Sequence, residues 1–168
     1  GDGLMAIRDI LRWPDPRLAR KCVKVGDTDV SDLVRDLFET MYDAPGRGLA
    51  APQIGVLVRV FVMDAGWKDG EMAPRACIDP EIVAASEATA TREEGCLSIP
   101  GVTARVTRPD WIVLRYRGLD GAVHEERLEG MEATCAQHEL DHLHGIVTLD
   151  RVSPEARREL ETEYGELP

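Results

Sequence analysis

The stretch that most constrains this 168-residue chain is Cys135-Ala136-Gln137-His138-Glu139-Leu140-Asp141-His142-Leu143-His144-Gly145. Residues four apart on a helix lie one above the other on one face. A helix here therefore sets His138 beside His142, where two imidazoles can share one metal ion. Glu139 stands about 100° further round, close enough to reach a water held at that ion. H-E-x-x-H is the sequence form of two ligands and a carboxylate for proton transfer. The flanks favour a helix: Met131, Ala133, Cys135, Ala136, Leu140 and Leu143 are apolar, and Gly145 suits a C-terminal cap. Two histidines four apart also arise by chance, so the pentapeptide needs support from elsewhere in the chain.

A catalytic metal needs a third protein ligand and an open position for water. Three sources are in reach of the sequence. His144 is nearest, but lies about 200° round the helix from His142 and faces away. Glu159, Glu161 and Glu163 fall in a later helical stretch, and a ligand at Glu161 or Glu163 would make the chain a zinc peptidase. The third source is Cys96, in Glu93-Glu94-Gly95-Cys96-Leu97-Ser98-Ile99-Pro100-Gly101.

The length suits one domain over residues 1–168 with a core that needs no staples. A net charge of −11 argues against direct nucleic-acid binding, because phosphate contacts need a basic face. Cys22, Cys77, Cys96 and Cys135 are widely spaced, with no C-x-x-C pair and no secretion signal, so they read as reduced thiols in a cytoplasmic protein. No apolar run approaches the roughly 18 residues of a membrane span. Met5 is a candidate native start, with residues 1–4 a candidate vector remnant.

The chain reads as an α+β domain: antiparallel or mixed strands packed around the H-E-x-x-H helix, with one helix before it and one after. Trp13-Pro14-Asp15-Pro16 excludes a regular helix and predicts an extended arm with a turn. Val30, Leu33, Val34, Leu37, Phe38 and Met41 recur at helical spacing, with Asp29 or Ser31 as cap, through about Tyr42. Val56 to Met63 predicts a buried strand. Short strands are expected near 76–78 and 81–85, and Cys96 at a strand end entering a turn. Val102 to Val106 and Trp111 to Tyr116 alternate as strands, Gly118 to Gly121 marks a hairpin, and Val123 to Leu128 returns. The metal helix starts near Gly130. Ser153 caps a last helix that opens on Pro154.

Three stretches taken together resemble the peptide deformylase family: Gly46-Arg47-Gly48-Leu49-Ala50-Ala51-Pro52-Gln53, Glu94-Gly95-Cys96-Leu97-Ser98 and His138-Glu139-Leu140-Asp141-His142. They match G-x-G-L-A-A-x-Q, E-G-C-x-S and H-E-x-D-H in order. Asp141 meets a requirement that a generic H-E-x-x-H peptidase lacks. The resemblance implies removal of the N-formyl group from the initiator methionine of nascent polypeptides. It implies Cys96 as the third ligand beside His138 and His142, and ferrous iron as the usual metal, with Zn(II), Ni(II) or Co(II) able to stand in. A thiolate with two imidazoles is indeed a soft donor set, suited to such ions and poor for Mg or Ca.

By the same resemblance the Gln53 side-chain amide and the Leu97 backbone N–H stabilise the oxyanion, and Glu139 is general base and then acid. Gly48 and Gly95 would offer backbone groups to an extended formylmethionyl peptide, in the manner of an added strand. A transient ribosome association is compatible with that substrate. Met131, Thr134 and Cys135 share the face of His138 and would line the methionine pocket, with Arg47 near it. Two positions depart from the family pattern: Arg92, two before the glutamate of E-G-C, and Arg47, inside G-x-G, where aliphatic residues are usual. Thr134 also stands where an apolar residue is common. A deformylase-like protein that binds without catalysis is the remaining alternative.

Overall fold

The computed structural model describes residues 6–167. Met5 and the residues before it, read above as start and remnant, lie outside the described residues. Five antiparallel strands form the larger sheet, in the order β1 (Gly48–Ala50), β2 (Val60–Met63), β3 (Arg75–Ala85), β6 (Trp111–Arg117), β7 (Val123–Glu129). A separate two-stranded hairpin pairs β4 (Thr89–Cys96) with β5 (Ile99–Pro109). The helices are α1 (Ser31–Asp43), α2 (Gly130–Leu143) and α3 (Pro154–Gly165). The α+β expectation holds.

Alternation along the strands decides what each helix covers. Leu49, Val60, Val62 and Ile78 point to one face and meet Val34, Leu37 and Met41 of α1. Ala50, Phe61, Met63 and Cys77 point to the other and meet Ala133, Ala136, Leu140 and Leu143 of α2. β1 and β2 are thus covered on both sides, and all four residues of β2 are buried. Burying a side chain such as Phe61 contributes about 1.5–3 kcal/mol. A third cluster, with Leu18, Cys96, Ile99, Val102, Val147 and Leu149, joins the β4–β5 hairpin to the N-terminal arm and α3.

Local differences from the sequence reading have local causes. The strand expected from Val56 begins only at Val60, because Val56 and Val58 donate to Ala51 and Val56 in tight turns. The two short strands expected at 76–78 and 81–85 are one strand. A register shift between Ile78 and Glu81 absorbs Asp79-Pro80, and the Asp79 carboxylate accepts from the Val25 and Gly26 N–H groups. The arm contains a 3₁₀ turn at Pro16–Ala19, which Asp15 caps through the Arg17 N–H. Ser31 opens α1, while Asp29 accepts from the Ser31 N–H.

Gly145 closes α2 as expected. Its φ is +76°, it donates to the His142 carbonyl, and a Cβ there would lie 2.6 Å from the Ala19 carbonyl oxygen. Both space and backbone conformation require glycine. This closure fixes how α2 leaves the core, and so fixes His142 in the last turn.

Candidate metal centre

From Ala133 to Leu143 every residue of α2 is buried, histidines and carboxylates included. Polar side chains persist in such a place only when paired or when they serve a ligand. Cys96 ends β4, where the hairpin turns toward α2. It brings Sγ to 3.4 Å from His142 Nε2, and one ligand atom from each of Cys96, His138 and His142 lies within 4.8 Å of the others. Among the described residues this is the one group of three potential ligands so placed.

The environment suits a cation. His138 Nδ1 is 3.0 Å from Glu94 Oε1, so the ring donates there and Nε2 is left for a metal. Burial opposes a positive charge on His138, yet Glu139, Cys96 and Glu94 hold its proton affinity well above normal. A metal ion at the same point answers the same negative field. Burial, with His138 and Arg108, holds His142 well below its usual pKa, leaving the neutral ring that coordinates metals. His142 Nδ1 and Glu139 Oε1 are buried and have no hydrogen-bond partner. Two imidazoles and a thiol at these distances fit a tetrahedral site for a soft divalent ion, with one position open.

Glu139 lies beside this centre. Burial, reinforced by Glu94 and Asp141 and opposed by His138 and Arg108, raises its carboxyl to about 7. Gly48 packs against it: a Cβ at position 48 would stand 2.6 Å from Glu139 Oε2 and 2.9 Å from Cys135 Sγ. Cys135 is not a fourth ligand. Its thiol donates to the Arg47 carbonyl at 3.4 Å, and burial raises its pKa well above normal. The Gln53 amide is oriented by three contacts. Its Oε1 accepts from the Ala50 N–H at 2.9 Å, and its Nε2 lies 3.0 Å from Ser98 Oγ and 3.8 Å from Cys96 Sγ.

These residues open onto a cavity of about 680 Å³. Gly48, Gln53, Gly95, Leu97, Met131, Thr134, Cys135 and Arg47, all singled out from the sequence, line it. Arg47 turns its guanidinium toward the Ala65 carbonyl, 3.0 Å away. His144 faces away and is exposed, as its helical angle predicts. Glu159, Glu161 and Glu163 sit on α3, where Glu161 pairs with Arg157, and none joins the centre.

Sequence reasoning missed what holds Glu94. Arg108 donates twice to Glu94, at 2.7 and 2.9 Å, and once to Asp141, at 2.9 Å. Arg151 donates twice more to Asp141, at 3.0 and 2.7 Å. A buried chain of charges thus runs from His138 through Glu94 and Arg108 to Asp141. The available signal was register: Arg108 follows Val102, Ala104 and Val106 in the inward positions of β5. Ser98 and Lys68 were also missed.

The family model of polypeptide deformylase matches residues 7–158. The chain belongs to the peptide deformylase family. Curated members agree. The peptide deformylase of Afipia carboxidovorans is 51% identical over 151 residues, covering 89% of this chain and 88% of that protein. That of Novosphingobium aromaticivorans is 46% identical over 170 residues, covering 89% and 90%. Among solved structures, the family member from Legionella pneumophila superposes with a TM-score of 0.88 at 38% identity, covering 95% of this chain and 94% of that one.

Proposed function

We propose that this chain is a metal-dependent deformylase that removes the N-formyl group from the initiator methionine of nascent polypeptides. The observation that carries this is the buried Cys96–His138–His142 group with Glu139 and Gln53 beside it, in a chain of this family. Cys96, His138 and His142 hold the ion, ferrous iron by the softness of the set and by family likeness. When bound, such an ion polarises the formyl carbonyl and lowers the pKa of a water. Glu139 accepts the proton of the attacking water and returns it to the leaving amine, releasing formate and a free N-terminus. An acid–base group serves best with a pKa near the working pH, and burial brings Glu139 there. The Gln53 amide and the Leu97 N–H serve the oxyanion. With Oε1 held by the Ala50 N–H, the Gln53 amide presents N–H donors on the Cys96 side.

Substrate placement follows from the sheet edges. β1 ends the larger sheet, and among the described residues β4 pairs with β5 alone. Gly48 and Gly95 lie on these two edges and both line the cavity. An extended peptide laid between them finds backbone partners on either side. Met131, Thr134 and Cys135 then receive the methionine side chain. The substrate places the enzyme in the cytoplasm, with transient ribosome contact. No described helix is long and apolar enough to cross a membrane.

The competing zinc-peptidase reading loses support because no α3 glutamate joins the centre. Product analysis separates the two. Incubation of the metal-loaded protein with formyl-Met-Ala-Ser should release formate and intact Met-Ala-Ser. Cleavage at the Met-Ala bond without formate would overturn the proposal.

A further inference from the structure

Thr134 lies one turn before His138 on α2, is 7% exposed and lines the cavity. The Arg92 guanidinium, on β4, donates through Nη1 to the Thr134 hydroxyl at 3.2 Å. The nearest carboxylate to Arg92, Asp110, is 3.7 Å away and half exposed, a weak tie. A hydroxyl that accepts from a cation keeps its own proton to give. Thr162 on α3 spends that proton on the carbonyl four residues back. Among the described residues, the hydrogen-bond partner of the Thr134 hydroxyl is Arg92 alone. The cavity wall therefore presents an O–H donor, polarised by a guanidinium, in a nearly dry setting.

What such a donor recognises follows from reach and charge. One helical turn rises about 5.4 Å, the scale of a methionine-length side chain entering beside His138. The walls carry Glu93, Glu94 and Glu139 against Arg47 and Lys68, and Glu94 is paired with Arg108. A carboxylate entering this space must shed its hydration, a cost that a neutral acceptor largely escapes. A thioether sulfur accepts hydrogen bonds only weakly. Oxidation to the sulfoxide keeps the length and adds a strong acceptor oxygen. We infer that the Arg92–Thr134 pair is a specificity element reading a neutral acceptor at the end of a methionine-length first side chain: the sulfoxide oxygen of oxidised methionine or the amide oxygen of glutamine. This rests on the deformylase reading and names a substrate class beyond formylmethionine for the same site.

The test compares kcat/KM of the metal-loaded protein for formyl peptides that differ only in the first residue: norleucine, methionine, methionine sulfoxide, glutamine and glutamate. Thr134→Val keeps the shape and removes the donor, Thr134→Ser keeps the donor, and Arg92→Leu removes the polarising cation. The sulfoxide-to-norleucine ratio should fall roughly three- to tenfold in Thr134→Val, the scale of one neutral hydrogen bond. Thr134→Ser should hold it, Arg92→Leu should lower it, and glutamate should be the poorest substrate throughout. A parallel fall for glutamine assigns the element to neutral acceptors generally; a fall for the sulfoxide alone assigns it to oxidised methionine. Ratios indifferent to Thr134→Val and Arg92→Leu, with formylmethionine still turned over, overturn the inference and leave the deformylase reading standing. Should Thr134→Val fail to bind metal, Arg92→Leu, on β4 and outside the metal centre, alone decides by the same ratio. Absence of turnover on every formyl peptide by the wild-type holoenzyme overturns the deformylase reading itself.

Discussion

At Glu139 a buried carboxyl keeps one oxygen without a partner while its pKa is pushed to about 7. Neither property helps the fold: an unsatisfied buried polar atom costs about 1–3 kcal/mol. Glu139→Gln should therefore keep the metal and lose two to four orders of magnitude in turnover, the usual share of a positioned acid–base group. A variant with full metal content and more than about a tenth of the wild-type rate would remove Glu139 from the mechanism. Cys96→Ser replaces a soft thiolate by a harder oxygen of far higher pKa. Metal affinity should drop, read as iron stoichiometry after anaerobic dialysis; undiminished stoichiometry would mean that Cys96 is not a ligand. The two histidines were legible from their spacing alone. Cys96 was not, because it arrives from a hairpin 42 positions upstream of His138. Only family likeness joined it to them before the fold did.

At the level of elements, α2 and the β4–β5 hairpin are two separate pieces that must meet to make the centre. Arg108 ties them, bonding Glu94 on β4 and Asp141 on α2 from its place on β5. Removing one partner of a buried ionic network leaves uncompensated charge, at about 3–5 kcal/mol. Arg108→Met should lower the Tm by on the order of 10 °C for a chain of this length. It should also weaken metal binding, because Glu94 would no longer be held against His138. A Tm within about 2 °C of wild type would show that the hairpin docks without this link. The helices and most strands could be read from periodicity, since each pattern lies within one element. The Arg108 link could not, because its partners lie 14 and 33 residues away and belong to different elements. The continuity of β3 was hidden for a related reason: Asp79-Pro80 reads as a break until Arg59 and the turn at Val25 and Gly26 supply its hydrogen-bond partners.

For the whole molecule, the proposed activity belongs to one centre: the Cys96–His138–His142 group, with Cys96 and His138 lining a cavity of about 680 Å³ that two strand edges flank. The most direct test is an anaerobic titration of metal-free protein with ferrous iron, following formate release from a formylmethionyl peptide. Activity should rise in proportion to bound iron and level off at one ion per chain. Formate release that does not depend on bound metal, or no release at full occupancy, would contradict the account.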